Sequence, residues 1–210
     1  MAQPLLQVTD LACRRGGRRV FERLSFDLGA GDLLALVGRN GSGKTTLLRA
    51  LALLVRPESG TIRWDGAEAR NDPEAWRSRL AWLGHLEGLK GDLSVAENLR
   101  IAARLRGDSA VDVGRVDAAL AAFDLLTYAN RPVRTLSAGQ RRRAALARVV
   151  FTDAVIWLLD EPLNALDMPA QAAFRAALGK HLAAGGLAIA ATHADLGMAG
   201  GRSLDLGAAI

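Results

Sequence analysis

The stretch that decides the fold is residues 33–51, which read LLALVGRNGSGKTTLLRAL. Its first five residues are apolar and predict a buried strand, and its last residues predict a helix. Between them lies a full match to the phosphate-binding pattern G-x-x-x-x-G-K-[ST], in the strand–loop–helix context that this motif requires. The candidate phosphate-binding residues are Gly38, Arg39, Asn40, Gly41, Ser42, Gly43, Lys44, Thr45 and Thr46.

The residue types of this loop suit the binding of a nucleotide. Glycines let backbone N–H groups converge on phosphate oxygens, and the helix that follows adds the positive end of its dipole. We expect Lys44 to reach the β- and γ-phosphates and Thr45 to be a ligand of Mg²⁺.

A second candidate site lies at the end of another apolar run, residues 155–161, VIWLLDE. A buried strand here delivers two carboxylates to its exposed end, where they face the phosphates. We expect Asp160 to hold Mg²⁺, through water, and Glu161 to polarise the attacking water as general base.

A third segment, residues 136–140, reads LSAGQ. The sequence predicts that Ser137 caps a helix over residues 140–150 and that Gly139 allows close approach of the backbone. Such a helix N-terminus is an anion site. Its candidate residues are Ser137, Ala138, Gly139 and Gln140.

In this order the three segments resemble the ATP-binding cassette (ABC) ATPases over nearly the whole chain, with Ala138 where the family usually has glycine. The resemblance implies an α/β fold: a P-loop NTPase (RecA-like) core of ABC ATPase type, with an N-terminal antiparallel β part and an inserted helical subdomain. It also implies ATP and Mg²⁺ as ligands. Because the signature segment in this family covers the ATP of a second subunit, it implies a homodimer.

The pattern along the chain agrees with that layout. Strands are expected in the first thirty residues, at 5–11, 18–21 and 24–28, and again near 154–159 and 187–191, while residues 94–105 and 112–126 have helical spacing. We therefore expect one domain over residues 1–210. Its nucleotide-binding core comprises 1–75 and 146–210, and its helical subdomain covers about 76–145.

Further site residues follow from the resemblance. Residues 164–167, NALD, resemble the loop that crosses the dimer seam, which makes Asp167 a candidate dimer-loop residue. His193, after an apolar strand, resembles the switch histidine that contacts the γ-phosphate. Where most members stack an aromatic side chain on adenine, this chain has Arg15, which can stack by cation–π contact, and Phe21 is the alternative.

The segment that in most members carries a catalytic glutamine reads LGHLEGLK at residues 83–90. His85 is the candidate for that role, and Glu87 is its rival. The Gly-His pair, together with the basic residues that follow the signature, resembles one branch of the family, the ATP-binding subunits of haem exporters in cytochrome c maturation.

The branch resemblance implies coupling of ATP hydrolysis to separate integral membrane subunits, with the chain peripheral on the cytoplasmic face of the inner membrane. Two alternatives remain open. One is an ABC ATPase that serves another substrate, and the other is a soluble ABC ATPase that acts on DNA or ribosomes.

Composition limits these choices. The chain has 27 Lys and Arg against 22 Asp and Glu, for a net charge of +5, but no aromatic residues interleave with the arginines, so no nucleic-acid partner is expected. The single cysteine, Cys13, excludes an internal disulfide and fits a reducing compartment. No apolar segment has the length of a membrane span.

Overall fold

The computed structural model describes residues 5–107 and 111–207. Its strands are β1 (Leu6–Arg15), β2 (Arg18–Leu28), β3 (Leu33–Val37), β4 (Ser59–Trp64), β5 (Ala67–Glu68), β6 (Leu80–Leu83), β7 (Ile156–Asp160), β8 (Leu187–Ala191) and β9 (Arg202–Asp205). Its α-helices are α1 (Lys44–Leu51), α2 (Pro73–Ser78), α3 (Val95–Arg104), α4 (Val113–Ala121), α5 (Ala138–Phe151) and α6 (Met168–Ala183). Within these described ranges, none of the helices is long and apolar enough to cross a membrane.

The strands form two sheets. A four-stranded antiparallel sheet has the order β2-β1-β4-β5, and a five-stranded parallel sheet has the order β6-β7-β8-β3-β9. In a parallel sheet all carboxyl ends lie at one edge, where ligands of open α/β folds bind. The phosphate loop, the two acidic residues after β7 and the histidine after β8 therefore start at the same edge.

The parallel sheet is covered on both faces, which explains why its strands are apolar throughout. In β7 the side chains of Ile156 and Leu158 pack into a core shared with α1 and the antiparallel sheet. Those of Trp157 and Leu159 pack into the other core, which is shared with α3, α4, α5 and α6. The strand period of two assigns alternate residues to the two cores.

The helical part of the chain packs as one layer on the second core. Leu99 of α3, Leu120 of α4 and Leu146 of α5 are each fully buried in it. Helix α3 begins with a capping box, in which Ser94 accepts a hydrogen bond from the Glu97 N–H and the Glu97 carboxylate accepts one from the Ser94 N–H. The topology agrees with the expected fold class, an α/β core with an antiparallel β part and inserted helices.

Three details differ from the sequence expectations. The strands predicted at 18–21 and 24–28 form the single strand β2, because a register shift around Arg23, with φ of 50°, keeps the ladder continuous. The helix predicted at 112–126 ends at Ala121. Residues 80–83, expected in the helical subdomain, pair with β7 in the parallel sheet. The wider division into core and subdomain stays a prediction.

Candidate nucleotide-binding and catalytic site

The phosphate loop joins β3 to α1 in a conformation that depends on glycine. Gly43 has φ of 100°, and a Cβ atom there would lie 2.4 Å from Val20 Cγ1. Gly38 has φ of 129°, and a Cβ atom there would lie 2.8 Å from Ser42 Oγ. Any other residue at either position would be strained and would clash, so the glycines are required to close the loop.

The cradle is electropositive. Helix α1 begins at Lys44 with no acidic residue of its own in its first turn, and the positive end of its dipole faces the loop. The Lys44 ammonium donates hydrogen bonds to the carbonyl oxygens of Gly38, at 2.6 Å, and Arg39, at 3.3 Å. This folds the side chain back over the loop, where a bound phosphate would meet it.

The two candidate Mg²⁺ ligands are in direct contact. The Thr45 hydroxyl donates a 2.9 Å hydrogen bond to Oδ2 of Asp160, whose exposed fraction is 6%. Mg²⁺ is commonly bound by one or two protein oxygens together with phosphates and water. The hydroxyl and carboxylate fit that donor set. In the described part of the chain no group of three or more His, Cys, Asp or Glu side chains is arranged to hold a metal, so phosphates and water would have to complete the shell.

Glu161 and His193 face each other beside these groups. His193 Nε2 lies 3.8 Å from Glu161 Oε1 and 3.4 Å from Lys44 Nζ. Glu161 has φ of 48°, a left-handed conformation that is uncommon for a residue with a side chain. Its N–H donates a 2.8 Å hydrogen bond to the carbonyl of Ala191 at the end of β8, which holds this turn in place.

The structure thus brings together five of the predicted residues, namely Lys44, Thr45, Asp160, Glu161 and His193. The arrangement combines a phosphate cradle, a hydroxyl–carboxylate pair and a carboxylate beside an imidazole. Those groups could bind a nucleoside triphosphate and activate water against its terminal phosphate.

The signature segment forms a second helix N-terminus. Ser137 caps α5 in a capping box with Gln140, in which each side chain accepts a hydrogen bond from the backbone N–H of the other. Ser137 and Ala138 are exposed, and a Cβ atom on Gly139 would lie 3.4 Å from the carbonyl oxygen of Ala165. The signature and the predicted dimer loop are therefore neighbours within one chain.

Within a single copy of the chain, Asp167 is the N-cap of helix α6. Its carboxylate caps α6 by accepting a 3.0 Å hydrogen bond from the Ala170 N–H. A role at a dimer seam stays a prediction.

Of the two candidates for stacking on adenine, Phe21 is excluded by its burial and Arg15 is not. Phe21 is fully buried in the core beneath the phosphate loop, so its ring offers no face to a ligand. Arg15 is exposed at the end of β1, opposite Arg18 in the hairpin, and its stacking role stays a prediction. The sequence interpretation missed Val20, which is half-buried and whose Cγ1 occupies the space that a side chain at position 43 would need.

His85 and Glu87 follow β6 at the same edge of the sheet. His85 is exposed, whereas Glu87 is half-buried and its backbone carbonyl accepts a 3.2 Å hydrogen bond from Arg148. The hydrogen bond from Arg148 therefore holds the backbone of this segment and not the side chain of Glu87. Whether His85 or Glu87 takes the role of the family's glutamine stays a prediction.

The sequence interpretation also missed Arg142 of α5. This residue is 6% exposed, and its guanidinium donates hydrogen bonds to the carbonyl oxygens of Gly84, Asp160 and Glu161. Desolvation by burial lowers its pKa, while the nearby carboxylates of Glu87, Asp160 and Glu161 oppose that effect. The available signal was one of three consecutive arginines at the start of α5, at a position that the helical period places among buried alanines.

Comparisons with known proteins agree with this geometry. The sequence model of the ABC transporter family matches residues 21–164. A cytochrome c biogenesis ATP-binding export protein CcmA from Paramagnetospirillum magneticum is 47% identical over 98% of this chain and 95% of its own length. A protein of the same name from Cupriavidus necator is 49% identical over 98% of this chain and 89% of its own length.

Solved structures show the same fold. A putative ABC transporter ATP-binding protein from Pyrococcus furiosus superposes with a TM-score of 0.83, covering 97% of this chain and 98% of that chain at 24% identity. A dimeric ATP-binding cassette bound to ADP and Pi, in a post-hydrolysis state, gives a TM-score of 0.80 at 22% identity, covering 90% of this chain and 88% of that chain. On these findings, the chain belongs to the ABC transporter family, as an ATP-binding protein of the kind represented by the CcmA proteins of cytochrome c biogenesis.

Proposed function

We propose that this chain is the ATP-hydrolysing subunit of a transporter that serves c-type cytochrome biogenesis. The observation that carries the ATPase part is the convergence of Lys44, Thr45, Asp160, Glu161 and His193 at the carboxyl edge of the parallel sheet. The cytochrome part is supported by full-length relatives that are named for cytochrome c biogenesis and export.

In the proposed mechanism the phosphate loop and Lys44 bind the phosphates of ATP, and the N-terminus of α1 adds its dipole. Thr45 and Asp160 would hold Mg²⁺, which would neutralise phosphate charge. Glu161 accepts a proton from the attacking water as general base. His193, placed between Glu161 and Lys44, orients the water or donates to the terminal phosphate.

The proposed assembly is a homodimer. The capped N-terminus of α5 presents Ser137 and Ala138 to solvent, where they can cover the ATP that a second copy holds. Closure and reopening of two copies would then drive separate membrane subunits. In this proposal the chain binds peripherally at the cytoplasmic face of the inner membrane and moves haem or releases a haem-carrying partner.

The transport role is tested in the host cell. Replacement of the chromosomal copy by Lys44→Ala or Glu161→Gln should remove covalently bound haem from c-type cytochromes, detected by peroxidase staining of denaturing gels, while b-type cytochrome spectra persist. A conservative change at an exposed position of β4, Arg63→Lys, is the control. Normal c-type cytochromes in the Lys44→Ala strain would contradict the proposed function.

A further inference from the structure

Arg142 connects three parts of the candidate site through backbone carbonyls. Its Nη1 donates a 3.0 Å hydrogen bond to Gly84, in the segment after β6. Its Nη2 donates to Asp160, at 2.8 Å, and to Glu161, at 2.5 Å, at the end of β7. The side chain itself belongs to α5, the helix whose N-terminal cap is Ser137.

Burial makes the position of the Arg142 guanidinium unfavourable for a positive charge. The guanidinium is buried and its hydrogen bonds go to carbonyl oxygens, while its buried Nε atom has no hydrogen-bond partner in the part of the chain that the structure describes. Removing a charge from water is unfavourable unless well-placed acceptors and opposite charges offset it. Here three carbonyl oxygens and the nearby carboxylates of Glu87, Asp160 and Glu161 offset that cost. A guanidinium in this position therefore depends on the position of all three acceptors.

Glu161 is the residue whose placement most needs such support. It adopts a left-handed backbone conformation, and its N–H is fixed by the carbonyl of Ala191. Its own carbonyl accepts hydrogen bonds from Arg142 and from the Asn164 N–H, at 3.2 Å. The peptide groups on both sides of the Glu161 Cα are thus anchored, and they set the direction in which the carboxylate leaves the backbone.

We propose that Arg142 is a positioning residue that aligns Glu161 with the signature helix. The proposal rests on the proposed function, in which Glu161 is the general base. Ser137 is the N-cap of α5 and Arg142 lies in its second turn, so one continuous helix connects them. Engagement of Ser137 by the nucleotide of a second copy therefore shifts, through the Arg142 guanidinium, the carbonyls of Gly84 and Glu161 together.

A second arginine of the same helix provides a matched comparison. Arg148 is half-buried, desolvation by burial lowers its pKa, and its Nε likewise has no hydrogen-bond partner among the described residues. It donates hydrogen bonds to the carbonyls of Trp82, at 3.0 Å, and Glu87, at 3.2 Å. Arg148 therefore holds the segment around β6 as Arg142 does, but it makes no hydrogen bond to the end of β7.

The first experiment compares Arg142→Gln, Arg142→Lys and Arg148→Gln in the purified full-length protein, with kcat and KM for MgATP, equilibrium ATP affinity and Tm measured for each. A misplaced general base lowers turnover by about 10- to 100-fold, so Arg142→Gln should lower kcat by that amount with KM and ATP affinity within about twofold. Lysine keeps the charge and reaches some of the carbonyls, so Arg142→Lys should recover part of the loss. Arg148→Gln should stay within about threefold of wild-type kcat.

The second experiment adds Arg142→Gln to Glu161→Gln. If Arg142 acts through the Glu161 carboxylate, the second change should lower the residual hydrolysis by no more than about twofold, because effects of residues that act as a unit do not multiply. A further loss as large as that of Arg142→Gln alone would overturn the proposal. So would equal kcat losses in Arg142→Gln and Arg148→Gln that follow their losses in Tm.

The same set separates failure of this inference from failure of the proposed function. If Glu161→Gln alone keeps wild-type hydrolysis, the general base is assigned wrongly. If Glu161→Gln loses hydrolysis while Arg142→Gln keeps wild-type kcat, only the positioning role of Arg142 is overturned.

Discussion

His193 Nε2 lies 3.8 Å from Glu161 Oε1, although the two residues follow different strands of the parallel sheet, β8 and β7. The same imidazole nitrogen is 3.4 Å from the ammonium of Lys44. The imidazole is thus in contact distance of both the candidate base and the phosphate-binding lysine. We therefore propose that His193 senses whether a terminal phosphate is bound beside Glu161 and Lys44.

We expect His193→Ala to lower kcat by about 10- to 100-fold with little change in ATP affinity, because it removes a contact to the reacting groups and leaves the phosphate loop intact. Steady-state turnover and equilibrium ATP binding, measured on the same preparation, check this. His181→Phe is the matched control, since His181 packs near the opposite ends of β7 and β8. Unchanged kcat in His193→Ala would remove this residue from the site.

The proposed homodimer can be tested separately from the chemistry. The Glu161→Gln protein should be monomeric without nucleotide and dimeric with ATP, because unhydrolysed ATP forms much of the interface. Adding Ser137→Arg should abolish the dimer by placing bulk and charge where the second copy's phosphates must lie. Light scattering after size exclusion measures both.

Loss of the helix cap alone would also follow from Ser137→Arg, at about 1 kcal/mol. Ser94→Arg controls for this, since Ser94 caps α3 with the same capping-box geometry. The Ser94→Arg, Glu161→Gln protein should still dimerise with ATP. A monomer with ATP in the Glu161→Gln protein itself would count against the nucleotide-bridged assembly.

Two residues of the segment after β6, His85 and Glu87, are candidates for the role of the family's glutamine. A neutral imidazole can accept a hydrogen bond from water as a glutamine amide does. We expect His85→Gln to keep substantial ATPase activity and His85→Ala to uncouple hydrolysis from cytochrome maturation in cells. The rival is Glu87. If Glu87→Gln alters the ATPase rate of the assembled membrane complex and His85→Ala does not, the glutamine-like role belongs to Glu87.

Stability should depend on pH through His181. Its ring stacks on Trp157 with centroids 4.1 Å apart, and burial lowers its pKa below the usual 6.5 while the hydrogen bond to the Leu187 carbonyl partly offsets this. The folded state thus favours the neutral ring. Below about pH 6.5 the unfolded chain takes up the proton first, so the stability present above that pH is lost as pH falls through the lower folded pKa.

Urea unfolding at pH 7.5 and pH 5.5 measures this effect. His181→Phe keeps an aromatic ring for the stack and has nothing to titrate, so its free energy of unfolding should fall less between the two pH values than that of the wild type. A larger fall in the free energy of unfolding for His181→Phe than for the wild type would contradict the lowered pKa of His181.

The parts that could be predicted from sequence are those with a local pattern. The phosphate loop, the acidic pair after β7 and the capping box at Ser137 each combine a motif with the periodicity of the flanking element. The contacts of Arg142 could not be predicted in this way, because its partners are backbone carbonyls 58 and 18 or 19 residues away in the sequence. Burial of Phe21 likewise depends on how β2 passes beneath the loop.

The most direct test of the central claim measures ATP affinity and ATP turnover side by side in the wild type and in Glu161→Gln. If Glu161 is the general base beside an intact phosphate loop, the variant should bind ATP within about twofold of the wild type and lose about 10²- to 10⁴-fold in turnover. A loss of affinity as large as the loss of turnover, or turnover that survives the change, would contradict the account.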